Sequence, residues 1–135
     1  MLFRSNSGAV SISGGSFNGS GWGVLVEGGT VSISGGWNIG YYGVVVDGGT
    51  VSISGGSISG TGYGVSVGAG TVSISGGTIS GGSEGVAVFA GTVNIYGCGL
   101  MLTGGQLTGT LLDGTLISTP ASVLSGGVLN LFNKC

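Results

Sequence analysis

Six side chains in this 135-residue chain carry charge at neutral pH: Arg4, Glu27, Asp47, Glu84, Asp113 and Lys134. There is no histidine, and there are two cysteines, Cys98 and Cys135. Ser/His/Asp and Cys/His catalysis both fail without a histidine. A zinc centre needs four ligands, which two distant cysteines cannot supply. Glu27 and Asp47 fall at corresponding points of adjacent repeats, which raises two further chemistries. Calcium takes six to eight oxygen ligands, and the aspartate-rich nonapeptide of calcium-binding β-rolls is missing. Glycoside hydrolysis needs a cleft that raises the pKa of one carboxyl group, whereas these two residues read as an outward, repeating corner. Two basic residues cannot neutralise a run of phosphates, so nucleic acid is not an expected partner. The chain reads as a non-enzyme without a cofactor.

The residue types that remain suit surface binding. Trp22, Tyr42 and Tyr63 each lie two residues before a valine in the recurring piece Gly-Val-x-Val, and Glu84 takes that place in the next copy. Stacked in a column, such rings either hold a sugar or, as the simpler reading, stabilise the stack itself. Thr30, Thr50, Thr71 and Thr92 form a second column, flanked by serines at 11, 32, 52 and 73 and at 13, 34, 54 and 75. A flat array of hydroxyl and methyl groups is a candidate ice- or glycan-binding face. Serine outnumbers threonine here and brings no methyl group, which favours an ordinary solvated strand face.

These columns exist only if the chain repeats in space as it does in sequence. Thr30-Val31-Ser32-Ile33-Ser34-Gly35-Gly36 returns at 50–56 and 71–77, with worn copies at 9–15 and 92–97. The leading valines fall at 10, 31, 51, 72 and 93, a spacing of 21, 20, 21 and 21. Each period also holds Gly-Val-x-Val, at 24–26, 44–46, 65–67 and 86–88. A third piece has one apolar residue between small polar ones, at 16–18, 57–59 and 78–80, but reads Trp37-Asn38-Ile39 in the shortened repeat, where the register is ambiguous. Alternation of period two predicts strands, with Val31 and Ile33 inward and Thr30, Ser32 and Ser34 outward. Glycine pairs at 14–15, 28–29, 35–36, 48–49, 55–56 and 76–77 predict the corners. The expectation is an all-β parallel β-solenoid, with about 21 residues and three short strands per coil.

Residues 1–8 read as a lead-in, 9–97 as the repeats, and 98–135 as a hairpin segment that returns to a final rung. Asp113-Gly114 between two apolar runs signals a hairpin. Val128-Leu129-Asn130-Leu131-Phe132 matches Thr92 to Tyr96, which would place Asn130 on Asn94 and Phe132 on Tyr96. That alignment predicts Cα atoms near ~6 Å for Cys98 and Cys135, within disulfide range. Strict alternation points the two side chains to opposite faces, so a bond requires the ends to relax; two unpaired thiols, or a bond between chains, are the alternatives. No run of 18 apolar residues is present, so no membrane span is expected. The opening residues are too short and too polar for a signal peptide, which implies a removed leader or a piece of a longer protein.

Gly-Gly-Thr-Val-Ser-Ile-Ser-Gly-Gly with Gly-Tyr-Gly-Val resembles the repeats of bacterial secreted β-helix proteins, such as autotransporter passengers and filamentous adhesins, over residues 9–96. Residues 107–115 are similar to the final segment of bacterial exported proteins that often precedes a sorting signal. The resemblance implies an extracellular or cell-surface location and a structural or adhesive role. The terminal rungs, with Val10 and Ile12 at one end and Leu129 and Leu131 at the other, would leave strand edges open to head-to-tail self-association. The alternative is a module that binds glycan or ice through the Thr/Ser face or the aromatic column.

Overall fold

The computed structural model describes residues 3–135, with side chains from Asn6 onward. Met1 and Leu2, part of the expected lead-in, lie outside the described residues. The chain is all-β, with one mostly parallel open sheet. Its strands are β1 (Phe3–Ser5), β2 (Ala9–Ile12), β3 (Ser16–Asn18), β4 (Trp22–Val26), β5 (Thr30–Ile33), β6 (Trp37–Gly81), β7 (Glu84–Thr103), β8 (Gln106–Leu111) and β9 (Leu116–Asn133). No helix among the described residues is long and apolar enough to cross a membrane.

Like pairs with like. Val10 lies beside Val31, Val31 beside Val51, and Val72 beside Val93, while Ile12, Ile33 and Ile53 keep the same company, as do Ile74 and Ile95. Val24 pairs with Val44 and Val65 with Val86. All of these side chains except Val10 are buried, and the serines between them point outward. β6 holds 45 extended residues, which would span about 150 Å if straight. Yet the rings of Tyr42 and Tyr63, both within it, stack at 5.3 Å. The strand therefore bends back beside itself. The bends fall on glycines: Gly49 and Gly70 carry φ of 78° and 84°, Gly56 and Gly77 carry 85° and 91°, and Gly91 in β7 carries 81°. A side chain in that conformation is strained, which fixes glycine at the second place of each corner pair.

The glycine of Gly-Val-x-Val has a different role. A Cβ on Gly43 would strike Ile58, and one on Gly64 would crowd Ile79. These glycines leave room for the isoleucine of the third piece to enter the core. The structure also resolves the ambiguous repeat. Ser16, Phe17 and Asn18 pair with Trp37, Asn38 and Ile39, so Asn38 occupies the apolar column and Trp37 is exposed. Asn38 is fully buried, and neither its Oδ1 nor its Nδ2 finds a hydrogen-bond partner.

The first described strand belongs to the repeat rather than preceding it. Phe3, Arg4 and Ser5 pair with Val24, Leu25 and Val26. At the other end the final rung starts earlier than the sequence motif suggested. Ala121, Ser122 and Val123 pair with Val86, Ala87 and Val88, and 126–133 continue along 90–97. Between these rungs the chain makes an antiparallel meander of late β7, β8 and early β9. Leu100, Leu107, Leu111 and Ile117 of the meander join the core. Gly104 and Gly105 turn it once with positive φ. The Asp113-Gly114 hairpin also forms, but with a three-residue loop. Leu111 N donates to Thr115 O at 2.8 Å, Gly114 N donates to Leu111 O at 2.9 Å, and Gly114 has φ 89°. This is a type I turn closed by a left-handed glycine rather than a two-residue turn.

Asn38 yields a stability test. Asn38→Ile restores the residue type found at 58 and 79 and removes two buried unsatisfied polar groups, so it should stabilise the fold by about 1–3 kcal/mol. Thermal and urea unfolding of the variant measure this. A lower melting temperature than wild type contradicts the placement of residue 38 in the apolar column.

Candidate functional site

Four features carry the residues singled out by sequence. The threonine column is present: Thr30 pairs with Thr50, and Thr71 with Thr92. Thr30 and Thr50 are exposed, whereas Thr71 and Thr92 are half-buried. The hairpin loop interrupts this face. Asp113 N donates to Ser75 O and Leu112 N donates to Tyr96 O, both at 3.2 Å. The Asp113 carboxylate accepts from Gly77 N and Thr115 N, each at 2.9 Å. The flat hydroxyl array is thereby confined to the earlier rungs.

The aromatic column is only partly a ladder. Tyr42 stacks on Tyr63 with 8° between the planes. Tyr41, which the repeat pattern did not mark, meets both rings edge-on and lies over Gly62, where a side chain would collide with it. Trp22 is in register with Tyr42, but among the described residues its indole does not stack on that ring. Phe89 sits across the face and meets Tyr63 edge-on at 6.1 Å. Trp22, Leu25, Tyr42, Val45, Asp47, Ser66, Gly68 and Phe89 enclose a groove of about 450 Å³. A Cβ on Gly68 would come within 2.9 Å of Asp47 Oδ1, so the carboxylate fills the space that a side chain at 68 would take. Sequence reasoning placed Glu27 and Asp47 at corresponding points of adjacent repeats, and Gly68 and Phe89 hold the same place in the next two. It missed that Phe89 bends over to the tyrosines, because alternation says which face a residue occupies and not where its ring leans.

The cysteines form a disulfide, with Cα atoms 5.2 Å apart. The obstacle raised by strict alternation disappears because β7 leaves the parallel register after Gly97. Cys98 pairs with Thr110 of β8, and the register shifts between Cys98 and Met101. Asn133 fastens the same corner: Leu100 N donates to its Oδ1 at 2.7 Å, and Lys134 N donates to Gly97 O at 2.7 Å. Above this corner Asn130 Nδ2 donates to Asn94 Oδ1 at 2.9 Å, and Phe132 stacks on Tyr96 at 4.9 Å.

The proposed assembly edges lie on the outermost rungs. Val10 is half-buried and Ile12 is buried at one end, and Leu129 and Leu131 are half-buried at the other. Among the described residues, β2 pairs only with β5, and residues 126–133 pair only with β7. Leu124, Val128 and Phe132 are exposed on the final rung. No group of three or more His, Cys, Asp or Glu among the described residues could hold a metal ion. Compared with known families, curated proteins and solved structures, the chain matches none.

Two outcomes follow from this geometry. Closing a loop with a sequence separation of 37 restrains the unfolded chain by about 3–4 kcal/mol. Reduction, or Cys98→Ser with Cys135→Ser, should lower unfolding stability by that order and leave the far-ultraviolet spectrum unchanged; identical urea midpoints with and without reductant would contradict it. At Asp113 burial opposes ionisation, and the donors Gly77 N and Thr115 N outweigh it, holding the carboxyl below its ordinary value of 3.8. A depressed folded-state pKa contributes stability that is complete above the unfolded value and is lost as pH falls through the folded one. Melting temperature should therefore drop between about pH 5 and pH 2, and Asp113→Asn should flatten that drop.

Proposed function

We propose that this chain is a parallel β-solenoid, with about 21 residues and three short strands per coil, that serves outside the cell as a structural element joining head to tail. The register supports the coil: partners in the valine and isoleucine columns are one sequence period apart throughout. The disulfide supports an oxidising, extracellular or cell-surface setting. The resemblance to secreted bacterial β-helix repeats agrees with both.

One observation carries the assembly reading. Both outermost rungs keep the apolar/polar alternation of the interior, and neither has a strand on its outer side among the described residues. Residues 128–132 repeat the pattern of 9–13, so Leu129 and Leu131 of one copy can continue the Val10 and Ile12 columns of the next. Such a contact joins different surfaces of two identical molecules, does not close on itself, and propagates as a fibre. Few charges stand in its way, whereas edge strands that must stay single usually carry them.

Sedimentation and electron microscopy of the purified protein test this. The expected result is concentration-dependent filaments. Ile12 is too buried to accept a charge without disturbing its own rung. Val10→Lys and, separately, Leu129→Lys are the informative variants, each checked for folding by circular dichroism. Each should abolish growth. Wild-type protein that remains monomeric at every concentration overturns the assembly reading.

A further inference from the structure

We infer that the groove between the aromatic column and Phe89 is a ligand site for a quaternary ammonium alcohol, the chemistry of choline. The site does not depend on head-to-tail assembly, because all its residues lie on the side of one molecule. Its volume of about 450 Å³ is within the range of small-molecule sites. Three aromatic residues line it, Trp22, Tyr42 and Phe89, over an apolar floor of Leu25 and Val45.

The polar groups determine the class of ligand. Asp47 is the one charged residue of the lining, and no lysine or arginine is present there. A cation is thus favoured over an anion. Ser66, 6% exposed, and Tyr42 add one hydroxyl each, and the Trp22 Nε1 is buried. One carboxylate and two hydroxyls are still too few for a pyranose, several of whose hydroxyl groups would lose water on entry without a replacement. A trimethylated ammonium has no N–H to satisfy. It needs only ring faces, apolar surface and a compensating charge. Tyr42 stacks on Tyr63 and meets Tyr41 edge-on, and it still lines the groove together with Trp22 and Phe89. The Ser66 hydroxyl can then serve the single alcohol of the ligand.

The probe is choline chloride, followed by Trp22 fluorescence in a Trp37→Phe background, because Trp37 is exposed and distant in register. Sodium chloride at equal ionic strength is the control. The expected result is a saturable change in the millimolar range, about tenfold weaker in Asp47→Asn. Asp47 is exposed, so this variant should fold; Phe89→Ala supplies a second, with the same expected loss. Phosphatidylcholine vesicles form a parallel arm. Saturation by free choline identifies a soluble ligand, and vesicle binding that free choline competes away identifies a lipid headgroup; either supports the site. The inference is overturned by a response equal to that of sodium chloride, by a choline response unchanged in Asp47→Asn, or by saturable binding of cello- or chito-oligosaccharides with none of choline.

Discussion

Everything in this structure depends on the in-register parallel ladder, in which each residue lies beside its counterpart one period away. Strand spacing of about 4.8 Å makes this a severe constraint. An inward residue must tolerate a copy of itself directly above and below. Valine and isoleucine do so, because branched side chains pack well on a pleated surface and have no polar atoms to satisfy. Serine and threonine tolerate it on the outer face. Charge tolerates it less well, and only Glu27 beside Asp47 repeats it: like charges at that separation repel by about 1 kcal/mol in water, and by several times that beside a protein surface. The scarcity of charged residues is consistent with that register.

The same constraint explains the two kinds of glycine. Those at 49, 70 and 91 supply the left-handed backbone that turns the corner. Those at 43 and 64 supply absence, since their missing side chains admit Ile58 and Ile79. Asn38 marks where the ladder is imperfect. The shortened second repeat keeps its pairing with Phe17 and buries an amide in an apolar column. The backbone register thus prevails over the preference of an individual side chain.

Much of the fold was legible in the sequence, for a physical reason. When contacts are between copies of one motif, the repeat specifies the partners, so Val31 could be placed beside Val51 and Asn130 beside Asn94 without coordinates. Legibility ended where the repeat ended. Residues 100–118 showed a turn signal at Asp113-Gly114, but nothing in that signal gave the docking of Asp113 on the Gly77 corner, which joins residues 36 apart. The groove was legible as separate columns and not as a concavity. Its shape depends on the lean of Phe89 and on the Asp47 carboxylate lying over Gly68, which are properties of packing rather than of pattern.

One consequence of the register concerns how such a chain can change over generations. Each period of the parallel sheet pairs with the periods on either side of it. Deleting or duplicating one whole period between Thr30 and Thr92 would join valine to valine again and leave both termini as they are. The molecule would become shorter or longer by a single strand spacing, with no new contact to invent. Length is then the trait most open to heritable variation, through slippage or recombination between near-identical stretches of coding sequence. The insertion of one residue, by contrast, turns every following side chain of its strand to the wrong face.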